Sequence, residues 1–159
     1  MQNNFKYIDD MIRNGQREII LDSNIILDDG EESEYLEGIE VDLDFIVIDG
    51  CGHTIDARGK ARIFNCIARR ITLKNITFKN GQSFNNHDDA QNDNGRAIKI
   101  NPGCTIRIVN CQFTGNASQN KAGAIFDLGE AEIDKSSFTE KHLSEIWGSN
   151  IECRRDVPI

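Results

Sequence analysis

The stretch ITLKNITFKNG, residues 71–81, decides the fold. Apolar side chains alternate at Ile71 and Leu73, halt at Asn75, and alternate again at Ile76 and Phe78. Alternation with period two marks a strand with one buried face. Asparagine tolerates left-handed backbone and hydrogen-bonds locally, so Asn75 marks a bend. The apolar face stays on one side of the chain through that bend. A hairpin does not allow this; the two strands turn a corner instead.

The same template returns as IRIVNCQFTGN from Ile106 and AEIDKSSFTEK from Ala131, with a weaker copy, IVIDGCGHTI, from Ile46. The markers Ile48, Leu73, Ile108 and Ile133 stand 25, 35 and 25 residues apart. A third short strand recurs at Ala61 to Phe64, Arg96 to Ile100 and Ala124 to Phe126, marked by Ile63, Ile98 and Ile125. Three strands per turn at a period in the twenties predict an all-β, single-stranded right-handed parallel β-helix of about 4–5 coils. Like positions then stack. The expected interior columns are Ile46–Ile71–Ile106–Ala131, Ile48–Leu73–Ile108–Ile133 and Phe78–Phe113–Phe138, with Asn75 over Asn110 as an interior amide ladder. Lys135 breaks that ladder and Ala131 shrinks the first column, so the last coil reads as weaker.

The ends read differently. Phe5, Ile8, Met11 and Ile12 fall at helical spacing, and Gly15 suits a helix C-terminus, which predicts a capping helix over 5–15. EIILDSNIIL reads as strand, GEESEYLEG (30–38) as a solvated loop. The expected organisation is one domain over 1–159, with coils over 18–140. The tail, 141–159, leaves the template; Leu143, Ile146, Trp147 and Ile151 are expected either to fold over the last coil or to leave an edge open to end-to-end self-association.

Composition narrows the function classes. The net charge of −8 argues against a nucleic-acid partner, and no apolar run reaches membrane-spanning length. Residues 28–44 hold nine acids and no base, residues 57–87 seven bases and no acid. Neighbouring coils would bring the two blocks together to neutralise each other, the alternative being a docking stripe for a partner. Cys51, Cys66, Cys104, Cys111 and Cys153 form no metal spacing and read as reduced thiols; Cys51 and Cys111 take the inward place of Ile76. No metal site or cofactor is expected.

The run EIILDSNIILDDGEESEYLEGIEVD from Glu18, with VIDGCGHTIDARGKARIFNC and ITLKNITFKNG, resembles the N-terminal portion of the β-helical, adhesin-like repeat proteins of methanogenic archaea. RAIKIN, CTIRIVNCQFTGNAS and GAIFDLGEAEIDKSSFTE resemble their repeating units, GGAIYN followed by LTI-x-N-x-TF-x-x-N. The match covers most of residues 5–140. It implies a pectate-lyase-like fold, a structural or adhesive role, contact with a glycan or protein surface, and no catalytic residue. It also implies the cell surface or exterior. MQNNFKYIDDMIRNGQ lacks the layout of a secretory leader, which leaves a cytoplasmic chain or a piece of a longer one as the alternative.

Chemistry, where the sequence offers any, sits in the insertion that stretches one interval to 35: GQSFNNHDDAQNDNG, residues 81–95. Asn85, His87, Asp88, Asp89 and Asp93 are the binding candidates, with Asn92 and Asn94 adding oxygen donors of the kind divalent cations and sugars accept, though no calcium motif is matched. A carbohydrate-active enzyme of lyase or hydrolase type would combine these with Arg96 and Lys99 in a lateral groove; no repeated carboxylate pair supports it. His53 reads as a bend residue. Asn75-Ile-Thr and Asn116-Ala-Ser are glycosylation sequons; Asn75 belongs to the ladder, and Asn116 is expected at an exposed bend.

Overall fold

A computed structural model of the chain describes residues 2–83, 95–116, 123–139, 146–148 and 151–153. Among these described residues, seventeen short strands and one helix are formed. After β1 (Gln2–Asn3) and α1 (Phe5–Arg13), the strands run in triplets. The first is β2 (Glu18–Ile20), β3 (Asn24–Ile26) and β4 (Ile39–Val41); the second β5 (Val47–Asp49), β6 (Thr54–Asp56) and β7 (Phe64–Cys66). Next come β8 (Ile71–Lys74), β9 (Thr77–Lys79) and β10 (Ile98–Ile100), then β11 (Thr105–Val109), β12 (Gln112–Thr114) and β13 (Ile125–Asp127). The last are β14 (Glu130–Asp134), β15 (Ser137–Phe138) and β16 (Ile146–Gly148), followed by β17 (Ile151–Cys153).

Each member of a triplet joins a different sheet. The orders are β1-β3-β6-β9-β12-β15, β2-β5-β8-β11-β14-β17 and β4-β7-β10-β13-β16, and adjacent strands pair in parallel. The chain is a parallel β-solenoid. Below, the three sheets are called the β1, β2 and β4 sheets after their first strands.

Register follows the repeat. Ile48 pairs with Leu73, Leu73 with Ile108 and Ile108 with Ile133, all wholly buried. Ile25, Ile55, Phe78, Phe113 and Phe138 form a second column. The rings of Phe78 and Phe113 stack at 4.9 Å between centroids and 11°, those of Phe113 and Phe138 at 4.7 Å and 10°. Strand spacing sets those distances, so each ring covers the next. Burying each such side chain contributes roughly 1.5–3 kcal/mol before chain entropy is subtracted.

The corner after the β2-sheet strands is one left-handed residue: Asn75 (φ 57°), Asn110 (φ 52°) and Lys135 (φ 51°). Asn110 Nδ2 donates to Asn75 Oδ1 at 2.8 Å, and Asn75 Nδ2 to Asp49 Oδ1 at 3.0 Å. The ladder thus exists, but at the surface. Asn75 is half-buried and Asn110 exposed, because a side chain on a left-handed corner points away from the axis.

Several expectations need correction. In the third strand Phe64, not Ile63, pairs with Ile98; Ala97 O accepts both the Ile63 and Phe64 N–H groups, which moves the register by one residue. Cys51 is exposed, because Gly52 and His53 lengthen that corner into a turn closed by His53 N donating to Gly50 O at 2.8 Å. Cys66, Cys104 and Cys111 are buried free thiols. The 30–38 loop is not wholly solvated: Tyr35 is buried against the Phe5 ring and its hydroxyl donates to Asp9. Asn116, expected on the surface, is buried; its side chain accepts from Gly81 N at 2.6 Å and donates to Phe78 O at 2.9 Å. No sugar fits there. Within the tail, Ile146 pairs with Ile125 and Ile151 with Ala131, adding rungs to two sheets.

At the start, α1 ends two residues earlier than expected but as its sequence directs. Asn4 caps it by accepting from Tyr7 N, and Gly15 (φ 82°) lets Gly15 N and Gln16 N reach Ile12 O and Met11 O. Phe5, Ile8 and Ile12 face the core, and Met11 packs beside it. No helix among the described residues is long and apolar enough to cross a membrane.

Candidate functional site

Interior positions are spent on packing, so recognition rests with side chains that strands and corners turn outward. Asn85, His87, Asp88, Asp89 and Asp93, the sequence candidates, lie outside the described residues, as do Asn92 and Asn94. Their flanks are in place. Gly81 is pressed so closely on Arg96 O that no Cβ fits, and Gly95 lies against Phe126 and Ile98 O. Arg62, 1% exposed, donates from Nε to Gly95 O at 2.8 Å and from a terminal nitrogen to Glu37 Oε2 at 2.8 Å. Burial lowers its guanidinium's affinity for a proton, and Glu37 offsets part of that loss. Arg96 and Lys99 are half-buried on the β4 sheet.

The opposed charge blocks do meet. Arg58 bridges Asp29 at 2.9 Å, Arg62 bridges Glu37, and the Arg69 backbone N–H donates to Asp44 Oδ1 at 2.9 Å. His53 acts through its backbone, its carbonyl accepting from Thr77 N.

Among the described residues, two outward grooves lie along the coil corners. One, about 460 Å³, follows the corner between the β2 and β1 sheets and is lined by Asn75, Thr77, Asn110, Gln112 and Cys51. Partial loss of solvation at the groove lifts the Cys51 thiol above its ordinary value, and the charge of Asp49 lifts it further. Burial alone would also raise Asp49, but hydrogen bonds from Asn75 and Cys51 N hold its carboxyl below the usual value. The other groove, about 370 Å³, opens on the β2 sheet beside its corner with the β4 sheet, among Arg70, Thr72, Thr105, Arg107 and Glu132. Arg107 is bridged to Asp134 at 3.2 Å.

One buried carboxylate stands apart. Asp127 occupies a core register position, paired with Ile100 and Gly148 and 0% exposed. Its Oδ1 accepts from Gly129 N at 2.9 Å, while Oδ2 has no hydrogen-bond partner among the described residues. Burial lifts this carboxyl to about 6. Burial and then the charge of Asp127 lift the Cys104 thiol to about 12, and burial does the same to Cys111. No group of three or more His, Cys, Asp or Glu side chains among the described residues is placed to hold a metal ion.

The sequence pointed to the insertion and missed both grooves. Only the outward-facing threonines, Thr72, Thr77 and Thr105, signalled them, and threonine in a strand is ordinary. The fold and these surfaces define the class, a parallel β-solenoid with lateral grooves. Comparison with protein-family models, curated proteins and solved structures finds no match.

Proposed function

We propose that the chain is a non-catalytic interaction module, an adhesin-like solenoid whose lateral faces contact a glycan or protein surface. The observation behind this reading is the continuous strand pairing of the β2 sheet from β2 to β17, which makes a stiff support for side chains repeated at rung spacing. Stiffness matters for recognition, since a surface already ordered loses little entropy on binding. The resemblance to adhesin-like repeats supports the same role. A glycan array and a pull-down from surface extracts test it: selective capture is expected, and no capture in either ends the reading. Shortened or unsaturated products on incubation with polysaccharide would replace it with a carbohydrate-cleaving one.

A second reading rests on the last rungs. Among the described residues, β15, β16 and β17 are each paired on one side only. Unpaired strand edges template further strands, and end-to-end self-association is the outcome they favour.

A further inference from the structure

We infer that the corner between the β4 and β2 sheets is a docking strip for a uronate-bearing polysaccharide, with Phe45, Arg69, Arg70 and Arg17 as its contacts. This deepens the interaction reading proposed above by naming a site and a ligand class.

Among the arginines, charge pairing marks this corner out. Arg13, Arg58, Arg62 and Arg107 each meet a carboxylate. Among the described residues Arg17, Arg69 and Arg70 have no ion pair, although the chain carries 26 acids against 18 bases. All three are exposed. They also gather in one place. Arg17 Nε donates to the backbone carbonyl of Asp44 at 3.1 Å, Phe45 N donates to Arg69 O at 2.9 Å, and Arg70 N donates to Thr105 Oγ1 at 2.7 Å. The carboxylate of Asp44, next to Phe45 in the chain, accepts from the Arg69 backbone N–H.

An aromatic ring is displayed among these cations. Phe45 is 61% exposed and has φ 66°, a left-handed conformation that a bulky side chain adopts only under strain. The Arg70 guanidinium lies 5.6 Å from the ring centroid. Beyond Arg70, the 370 Å³ groove adds the hydroxyls of Thr72 and Thr105. Guanidinium forks match carboxylates, hydroxyls match hydroxyls, and a ring face matches the apolar C–H face of a pyranose. A peptide is the poorer fit. It would normally add as a strand, and β2, β5, β8 and β11 offer no open edge along this face except at the end of the sheet.

Calorimetric titration with a short polymannuronate oligosaccharide tests this, with polyglutamate of matched charge as the peptide arm. Binding is expected at low ionic strength and should weaken as salt is added. Arg70→Gln and Phe45→Gly should each weaken it by about tenfold or more, the glycine variant without unfolding because its backbone prefers this φ. Arg58→Gln, which removes the same charge from a bridged position, should change affinity less than about twofold. Absent uronate binding, equal binding of polyglutamate, or indifference to the two corner variants would each overturn the site. A chain that still captured partners in the pull-down would then keep the broader interaction reading.

Discussion

Leu73 lies between Ile48 and Ile108 with no exposure, so Leu73→Asp places an unpaired charge in the central column. A loss above about 4 kcal/mol, sufficient to abolish the cooperative urea transition, is expected; a cooperative variant would mean the column is not the core. Asn116→Ala leaves Gly81 N–H and Phe78 C=O without their buried partner, and about 2 kcal/mol should be lost in the same measurement. Asp127 makes stability depend on pH. Its carboxyl, lifted mainly by burial, titrates near 6 in the folded chain against an ordinary value of 3.8. Between those values the folded chain holds a proton that the unfolded chain releases. The stabilisation is complete below about pH 4 and disappears as pH rises through about 6. Asp127→Asn should therefore match the native chain in acid and exceed it by on the order of 2 kcal/mol near neutrality. Denaturation curves that keep a constant difference at every pH would contradict this.

Among elements, the corner is the unit that repeats, and its chemistry was plain in advance at Asn75 and Asn110. Lys135 occupies the same left-handed position without an amide. Lys135→Asn should raise stability by about 1 kcal/mol by easing the backbone and extending the ladder over Asn110; an unchanged or lower melting temperature would show that the last corner is already relaxed. The third strand was harder to place. Ile63 and Phe64 are both apolar and both buried, so alternation alone could not choose between them. The choice follows from Ala97 O, a long-range acceptor. Cys51 failed for a related reason: two added residues turned an inward position outward, and only the position of Ile55 opposite Phe78 reveals the addition.

For the whole molecule, α1 covers one end of the solenoid and β16 and β17 extend the other. Sedimentation at high concentration tests what the last rungs do. Concentration-dependent growth in mass supports end-to-end association, whereas a monomer at every concentration removes it. The charge blocks show the same dependence on assembly. Their alternation along the chain was visible, but the bridges of Arg58 to Asp29 and Arg62 to Glu37 arise because one coil lies on the next.

By itself the sequence determined most of the strands, the inward faces of the β2 sheet, the capping helix and the stacking of like positions, because each of these follows a short-range pattern written in the chain. Tertiary structure alone decided which polar side chains are buried and which cations lack partners. Asn116 and Asn110 occupy comparable sequence settings, yet neighbouring coils enclose the first and leave the second in solvent. Arg62 and Arg70 are equally charged in the sequence, and only the coil below each one supplies a carboxylate or an aromatic ring.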